Sequence, residues 1–105
     1  MKLYDIKRID YNEQANVMKA LAHPSRLLIV HALMDHELCV CELHEFLQHK
    51  HNLSTVSRHL SVLKNAGLLV EEKRGLYVYY HLCCNGLRKF LISMDRIVGE
   101  TKEPA

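Results

Sequence analysis

The chain has 105 residues with fourteen basic and twelve acidic side chains, a net charge of +2, and 49% hydrophobic residues. This length predicts a single domain over residues 1–105, since domains usually hold about 100 to 150 residues. The composition excludes a disordered or fibrous chain. The apolar runs are far shorter than the roughly 20 residues of a membrane span, and no export signal is recognisable, so we expect a cytoplasmic protein without a membrane partner.

Two helices are predicted in the first third of the chain. The first covers about residues 12–22, where Ala15, Met18 and Leu21 recur at helical spacing. The second begins at Pro24, a residue that suits the first position of a helix, and its apolar sequence predicts burial on nearly every side. We expect His31 within it to be a hydrogen-bonded packing residue rather than a metal ligand.

A short third helix is predicted over residues 41–47, with Leu43, Phe46 and Leu47 as its apolar stripe. After a polar loop, Asn52 is a suitable cap for a fourth helix over about residues 53–66, which ends at Gly67.

The residues that follow favour β-structure. Two such runs, 68–72 and 77–82, flank a charged turn of Lys73, Arg74 and Gly75, which predicts a β-hairpin over about residues 68–82. A last helix is predicted over about residues 85–98. The apolar face of this helix consists of Leu87, Phe90, Leu91, Met94, Ile97 and Val98. Because the other helices can already close a core, we expect this face to pack against a second subunit. Packing on the chain's own core is the alternative.

This order of elements predicts a mainly α-helical fold with a β-hairpin wing, the winged helix-turn-helix, whose partner is double-stranded DNA. A helical wheel places the polar residues of the fourth helix opposite or beside its apolar side. We predict that residues of this helix read the groove and that nearby cations hold phosphates; the readers are Ser54, Thr55, Ser57, Arg58, His59 and Ser61, and the cations are Lys64, Lys73 and Arg74. A merely solvated face and turn is the alternative.

Four separated motifs resemble the ArsR/SmtB family of metal-responsive bacterial repressors. They are LAHPSRL at 21–27, ELCVCEL at 37–43, STVSRHL at 54–60 and LKNAGL at 63–68, and the similarity extends over about residues 12–98. The resemblance implies a homodimer built on the first and last helices (about 12–22 and 85–98) that binds a palindromic operator and is released by an inducer. Many relatives have a polar residue where Leu53 stands, so base preference is not transferred.

The segment with Cys39 and Cys41 resembles the two-cysteine motif of the arsenite- and cadmium-sensing branch of the family. Soft thiolates select thiophilic ions, but side chains two residues apart diverge on a regular helix, so both sulfurs reach one ion only if the helix start is distorted. We predict a metal site here, with arsenite or antimonite as the favoured inducer and cadmium or zinc as alternatives. His44, one turn after Cys41, is a candidate third ligand, and a mixed sulfur and nitrogen set suits zinc or cadmium better than arsenite.

An alternative site is the adjacent pair Cys83 and Cys84, because some arsenite-responsive members of the family are thought to use neighbouring cysteines near the last helix. Adjacent side chains normally diverge, although an irregular junction can bring them together. Alternatively, one of these cysteines is the third ligand of the Cys39/Cys41 site, or one or both are small packing residues. Paired thiols also fit a redox or persulfide sensor. A thiol metal-buffering protein without an operator is a further class. No permanent cofactor is expected, and no spacing typical of an enzyme is present.

Overall fold

The computed structural model describes residues 3–47 and 51–102, which form six helices and three short strands. In chain order these are α1 (Leu3–Ile6), α2 (Tyr11–Leu21), α3 (Pro24–Ala32), β1 (Leu38–Cys39), α4 (Val40–Phe46), α5 (Leu53–Asn65), β2 (Leu69–Arg74), β3 (Tyr77–Leu82) and α6 (Asn85–Lys102). No helix in this described part is long and apolar enough to cross a membrane.

Side-chain caps define where the helices begin. The carboxylate of Asp10 accepts a hydrogen bond from the backbone N–H of Glu13 at the start of α2, at 3.0 Å. His23 caps α3 through its Nδ1, with Pro24 in the first turn. The side chain of Asn52 accepts from Thr55 N at 2.8 Å, as the sequence predicts. These caps satisfy N–H groups that have no partner within the helix.

The three strands form an antiparallel sheet in the order β1-β3-β2. The predicted turn of Lys73, Arg74 and Gly75 is wrong: β2 continues two residues further, through Arg74, which pairs with Tyr77, so the tip consists of Gly75 and Leu76. Gly75 has φ +61°, a conformation that a two-residue hairpin turn requires and glycine adopts without strain. Strand β1 was not predicted, because its two residues carry no alternating pattern and pair with distant Tyr80 and Tyr79.

The core lies between α3, α4, α5, the inner side of the sheet and the first turns of α6. Its most deeply buried side chains are apolar residues from these elements, including Val30, Leu43, Val56, Leu63 and Leu91. Two expectations of burial were wrong. Leu28 on α3 is 40% exposed and Phe46 on α4 is 47% exposed, because the core covers only one side of each of these short helices.

The last helix divides its apolar residues between two environments. Leu87 and Leu91 belong to the chain's own core, whereas Phe90, Ile97 and Val98 remain exposed. His31 on α3 lies 3.6 Å from the carboxylate of Asp95 on α6, measured from Nε2 to Oδ1. Docking on the core and an outward apolar face are therefore both present on α6.

Candidate nucleic-acid interface and thiol sites

Helix α5 presents a polar face to solvent. Its apolar residues Val56, Leu60 and Leu63 are buried at three-to-four spacing, which turns the remaining positions outward. Most of the predicted DNA contacts on this helix are exposed, and Thr55 is half-buried. The exposed polar residues of α5 are Ser54, Ser57, Arg58, Ser61, Lys64 and Asn65. Short hydroxyl and amide side chains on an exposed helix allow close approach to base edges in a major groove.

His59 is placed differently from the prediction. It is 7% exposed and faces α3, where its ring lies 4.5 Å from the ring of His23 and 5.6 Å from that of His51, measured between centroids. The Arg26 guanidinium approaches its Nδ1 at 3.4 Å. Burial, together with these positive neighbours, lowers the pKa of His59. A side chain held in this way is turned from solvent, so we remove His59 from the set of groove contacts.

Two of the three predicted phosphate contacts are paired with carboxylates. Lys64 binds Glu71 across α5 and β2, and Arg74 binds both Glu37 and Glu72. The hydrogen bond from Lys64 lowers the pKa of Glu71. Such exposed pairs contribute little stability, so DNA phosphates can compete for these cations. Lys73 has no ion pair among the described residues.

Glu37, Glu72 and His81 bring potential metal-ligating atoms within 4.8 Å of one another on the outer side of the sheet. Both carboxylates already bind Arg74, whose guanidinium also lies 4.9 Å from the centre of the Tyr79 ring. The group therefore acts as an ion-pair network that joins the wing to the segment before β1. The sequence did not indicate it, because its members are brought together only by strand pairing.

Cys39 and Cys41 flank the junction between β1 and α4. Cys39 is buried and has an extended backbone just before the helix, and Cys41 is exposed in the first turn. The Glu42 carboxylate accepts a hydrogen bond from Cys39 N at 3.1 Å, which lowers the pKa of Glu42. Because Cys39 lies outside α4, the pair does not have the side-chain directions of a regular helix. Both residues line a cleft of about 250 Å³ beneath the wing.

The candidate third ligand, His44, points toward the start of the next helix. Its Nε2 lies 2.5 Å from the backbone oxygen of His51, the geometry of a hydrogen bond from the ring N–H. A metal-binding role beside Cys41 would compete with this bond if it used the same ring nitrogen.

Cys83 and Cys84 occupy the junction between β3 and α6, and their sulfur atoms lie 3.3 Å apart. Cys83 N donates to the carbonyl of Leu68, at 2.9 Å, which continues the pairing of β3 with β2 by one residue, and the chain then bends before α6 begins. The irregular junction that the sequence analysis left open thus brings the two sulfurs together.

The two thiols differ in environment. Burial, with the neighbouring Cys84, raises the pKa of Cys83 to about 11. Cys84 is exposed, and hydrogen bonds to it, first from the backbone of Leu87 and then from the Cys83 thiol, lower its pKa. Cys84 is therefore the more readily formed thiolate and nucleophile of the pair.

The pair borders a cavity of about 440 Å³ between α2 and α6, which we call the α2–α6 cavity. Apart from the two cysteines and Gln14, its lining is apolar: Val17, Met18, Leu68, Leu87 and Phe90. A volume of this size falls within the roughly 300–1,000 Å³ of small-molecule pockets.

Comparison with known proteins identifies the family. The model described as "Bacterial regulatory protein, arsR family" matches residues 23–70, which include α3, α4 and α5. The uncharacterized HTH-type transcriptional regulator MJ1325 of Methanocaldococcus jannaschii is 30% identical over 83% of this chain and 97% of its own length. The chain belongs to the ArsR/SmtB family of transcriptional repressors.

Other members of the ArsR/SmtB family carry names that refer to metals. The CadC homolog of Staphylococcus aureus, a cadmium resistance regulatory protein, is 35% identical over 74% of this chain. The arsenical resistance operon repressor of Escherichia coli is 42% identical over 63% of this chain. The chain spans 64% and 56% of the lengths of these two proteins.

A similar solved structure confirms the fold. The homodimeric winged helix-turn-helix DNA-binding domain of Mb0332 from Mycobacterium bovis has a TM-score of 0.80 and 28% identity, and covers 89% of this chain and 84% of that domain. The predicted fold class, mainly α-helical with a hairpin wing, is confirmed. As its family indicates, the protein is a DNA-binding regulator and not an enzyme.

Proposed function

We propose that this ArsR-family protein is a homodimeric repressor that releases operator DNA when a thiophilic ion binds its cysteine thiolates. The observation that carries the proposal is the attachment of both cysteine pairs to β3, the central strand of the sheet, whose neighbour β2 packs against α5. Cys39 pairs with Tyr79 of β3, and Cys83 follows Leu82 at the end of the same strand.

The DNA-binding half of the proposal rests on α5 and the wing. Helix α5 enters the major groove through its exposed polar face, in which Arg58 is the side chain long enough to reach a guanine edge. Lys73 at the wing binds a DNA phosphate. Lys64 and Arg74 bind phosphates after these displace their carboxylate partners, and the three contacts fix the position of the protein along the duplex.

The dimer is proposed from exposed apolar side chains on two helices. Met18 and Tyr11 on α2 and Phe90, Ile97 and Val98 on α6 are each more than a third exposed. Such faces commonly mark protein interfaces. The homodimeric state of the Mb0332 domain supports the same assembly.

Release follows from coupling between the thiols and the wing. An ion that draws two sulfurs together, beside Tyr79 of β3 or just after the end of that strand, moves β3 and with it the hydrogen-bonded β2 and the wing tip. Arsenite or antimonite is the favoured inducer, in keeping with the name of the Escherichia coli relative. Cadmium or zinc is the alternative, particularly if His44 joins Cys39 and Cys41.

A second candidate function is a thiol redox or persulfide sensor with the same DNA-binding fold. The 3.3 Å between the sulfurs of Cys83 and Cys84 favours it, because a thiolate and a neighbouring thiol can form a disulfide when an oxidant accepts two electrons. Loss of two hydrogens from the intact mass after peroxide or persulfide treatment, together with loss of DNA binding, would identify this function.

The deciding experiment measures release from a palindromic duplex taken from the region upstream of the protein's own gene. Mobility-shift titrations with arsenite, antimonite, cadmium and zinc compare the parent with Cys39→Ser/Cys41→Ser and Cys83→Ser/Cys84→Ser. We expect release of the parent and loss of release in the variant that lacks the sensing pair. Release that persists in both variants contradicts thiol sensing. If the parent binds every duplex equally, the metal-buffering alternative is favoured instead.

A further inference from the structure

The first turn of α3 contains an arginine whose guanidinium connects two other helices. Arg26 Nε donates to the carbonyl of Ala20 at 2.6 Å, and its Nη2 lies 3.4 Å from the carbonyl of Lys19, both in the last turn of α2. Its Nη1 lies 3.4 Å from Nδ1 of His59 on α5. Because the N–H groups of a guanidinium diverge in a fixed planar fork, this one side chain contacts α2 and α5 at the same time.

The contact with Arg26 determines the state of the His59 ring. A guanidinium donates hydrogen bonds and has no acceptor, so this hydrogen bond requires Nδ1 of His59 to accept. The imidazole is then neutral, with its proton on Nε2. Among the residues that the structure describes, His59 is the only polar or charged side chain that is buried, and burial is the first cause that lowers its pKa.

Within the described residues, the charged and titratable groups that act on His59 are all basic. His23 and Arg26 face it from the start of α3, His51 faces it from the segment before α5, and Arg58 lies on α5 itself. A proton on His59 would add a positive charge 3.4 Å from the guanidinium that α2 holds in place. Protonation therefore weakens the contact between α5 and α3.

The rings beside His59 are themselves held by hydrogen bonds. His23 Nδ1 accepts from Ser25 N at 3.1 Å, and Ser25 Oγ lies 2.7 Å from Nε2 of His51. These bonds connect the start of α3 to the segment that leads into α5. The surroundings of His59 are thus fixed on both sides, and a change at Arg26 or His59 acts on the position of α5.

We propose that Arg26 is a positioning residue for operator binding, which sets the orientation of α5 relative to α2 through the neutral ring of His59. The inference rests on the proposed roles of α5 in reading DNA and of α2 in the dimer. Two reading helices match a palindrome only when their separation equals that of the half-sites. Because α2 carries Tyr11 and Met18 of the proposed dimer surface, its connection to α5 through Arg26 sets that separation.

This connection also makes operator binding depend on the protonation of His59. A proton on Nδ1 removes the lone pair that accepts from Arg26 and places two cations side by side. Because the pKa of His59 lies below its ordinary value of 6.5, the connection is intact at neutral pH and is lost in mild acid. Affinity for the palindrome should then fall, although the positive charge that attracts any DNA rises.

The first test observes the histidine directly. Long-range proton–nitrogen correlation spectra of the reduced, intact protein report the tautomer and the pKa of each imidazole. We expect His59 to carry its proton on Nε2 at neutral pH and to titrate below 6.5, and we expect Arg26→Met to raise its pKa. A His59 ring with its proton on Nδ1 would overturn the inference. This measurement on the parent decides the contact even if a variant does not fold.

The second test measures DNA binding by Arg26→Met and Arg26→Lys. Fluorescence anisotropy compares the palindromic duplex with a duplex of unrelated sequence at the same salt concentration. We expect Arg26→Met to lose about tenfold in affinity for the palindrome and less than about twofold for the unrelated duplex. Arg26→Lys keeps the charge but not the planar fork, so it should also lose preference for the palindrome. The control Lys7→Gln removes an exposed positive charge and should keep that preference.

A third variant separates the hydrogen bond from the titration. His59→Asn places an amide oxygen near the position of Nδ1, where it can accept from Arg26, and it does not titrate. Between neutral pH and about pH 5.5, we expect the parent to lose about fivefold in palindrome affinity relative to His59→Asn. His36→Asn, at an exposed position, should behave as the parent does. Circular dichroism at each pH verifies that the proteins stay folded.

The outcomes distinguish this inference from the proposed function. Equal palindrome affinities of the parent and Arg26→Met, with release of the parent by thiophilic ions, would overturn the inference and leave the proposed function standing. Equal losses for the palindromic and unrelated duplexes would show that Arg26 supports folding in general, which also overturns it. A parent that prefers no palindrome would contradict the proposed function and the inference together.

Discussion

His59 shows how one side chain can belong to the reading helix without facing DNA. Its ring is enclosed by positive or potentially positive groups from several elements: His23 and Arg26 at α3, His51 before α5, and Arg58 on α5 itself. Desolvation and these neighbours disfavour the charged imidazole. The neutral ring helps to fix α5 against α3, and hence the orientation of the reading face.

This environment predicts a loss of stability in mild acid. The pKa of folded His59 lies below its ordinary value of 6.5, so between the two values the unfolded chain binds a proton that the folded chain does not. The free energy of unfolding therefore falls as pH decreases below about 6.5, because protonation of this group favours the unfolded chain. Urea unfolding at about pH 7.5 and about pH 5.5 measures the effect.

The contribution of His59 is isolated by substitution. His59→Gln should reduce the difference in stability between the two pH values, whereas His36→Gln, at an exposed position, should leave it unchanged. An unchanged pH dependence in His59→Gln would show that other groups cause the acid sensitivity.

At the scale of elements, ion pairs connect the wing to the segment before β1. Arg74 at the end of β2 binds Glu37 before β1 and Glu72 on its own strand. The guanidinium is the same group proposed to hold a phosphate, so DNA and the two carboxylates compete for it. The affinity for DNA then depends on how strongly the two carboxylates bind Arg74 in the free protein.

Removing both carboxylate charges should tighten DNA binding. Glu37→Gln/Glu72→Gln leaves Arg74 without its ionic partners, so carboxylates no longer compete with DNA phosphates for the guanidinium, and we expect a severalfold gain in affinity at low salt. Fluorescence anisotropy with a labelled duplex measures it. The gain should be smaller in an Arg74→Ala background. An equal gain there would mean that general repulsion of DNA by the two glutamates is the cause.

The whole molecule presents apolar surface that its own core does not cover. Leu87 and Leu91 anchor α6 to the core, and the helix continues to Lys102 with Ile97 and Val98 exposed on its distal turns. The described residues leave these two side chains about half exposed, so a second subunit is the partner expected to bury them.

A charge in this surface should dissociate the dimer. Ile97→Glu places a carboxylate where the proposed interface excludes water, and burial of an unpaired charge is strongly unfavourable. We expect monomers in sedimentation velocity and loss of binding to a palindromic duplex. Leu76→Glu is the matched control, because Leu76 is 98% exposed at the wing tip; it should remain dimeric. A dimeric Ile97→Glu would place the interface elsewhere.

Much of the fold could be predicted because its signals are local. Pro24 in the first turn of α3, the cap at Asn52, the apolar spacing of α5 and the glycine at the wing turn each act on residues close to them in the chain. The predictions that changed depend on partners far along the chain. Strand β1 exists through its pairing with β3, and Phe46 is exposed because the core ends beside it.

The features of the candidate sites also fall into those that local sequence predicts and those that depend on distant partners. The amino-acid sequence by itself determined the family, helices α2 to α6, the wing and the outward face of α5, since helical periodicity decides which side chains can face solvent; it did not predict the short α1. Only the tertiary structure decided that His59 faces α3, that Arg74 is held by Glu37 and Glu72, and that the sulfurs of Cys83 and Cys84 meet beside an apolar cavity. Each of these depends on distances between elements separated in the chain or on a bend at their junction, and packing of the core sets those distances.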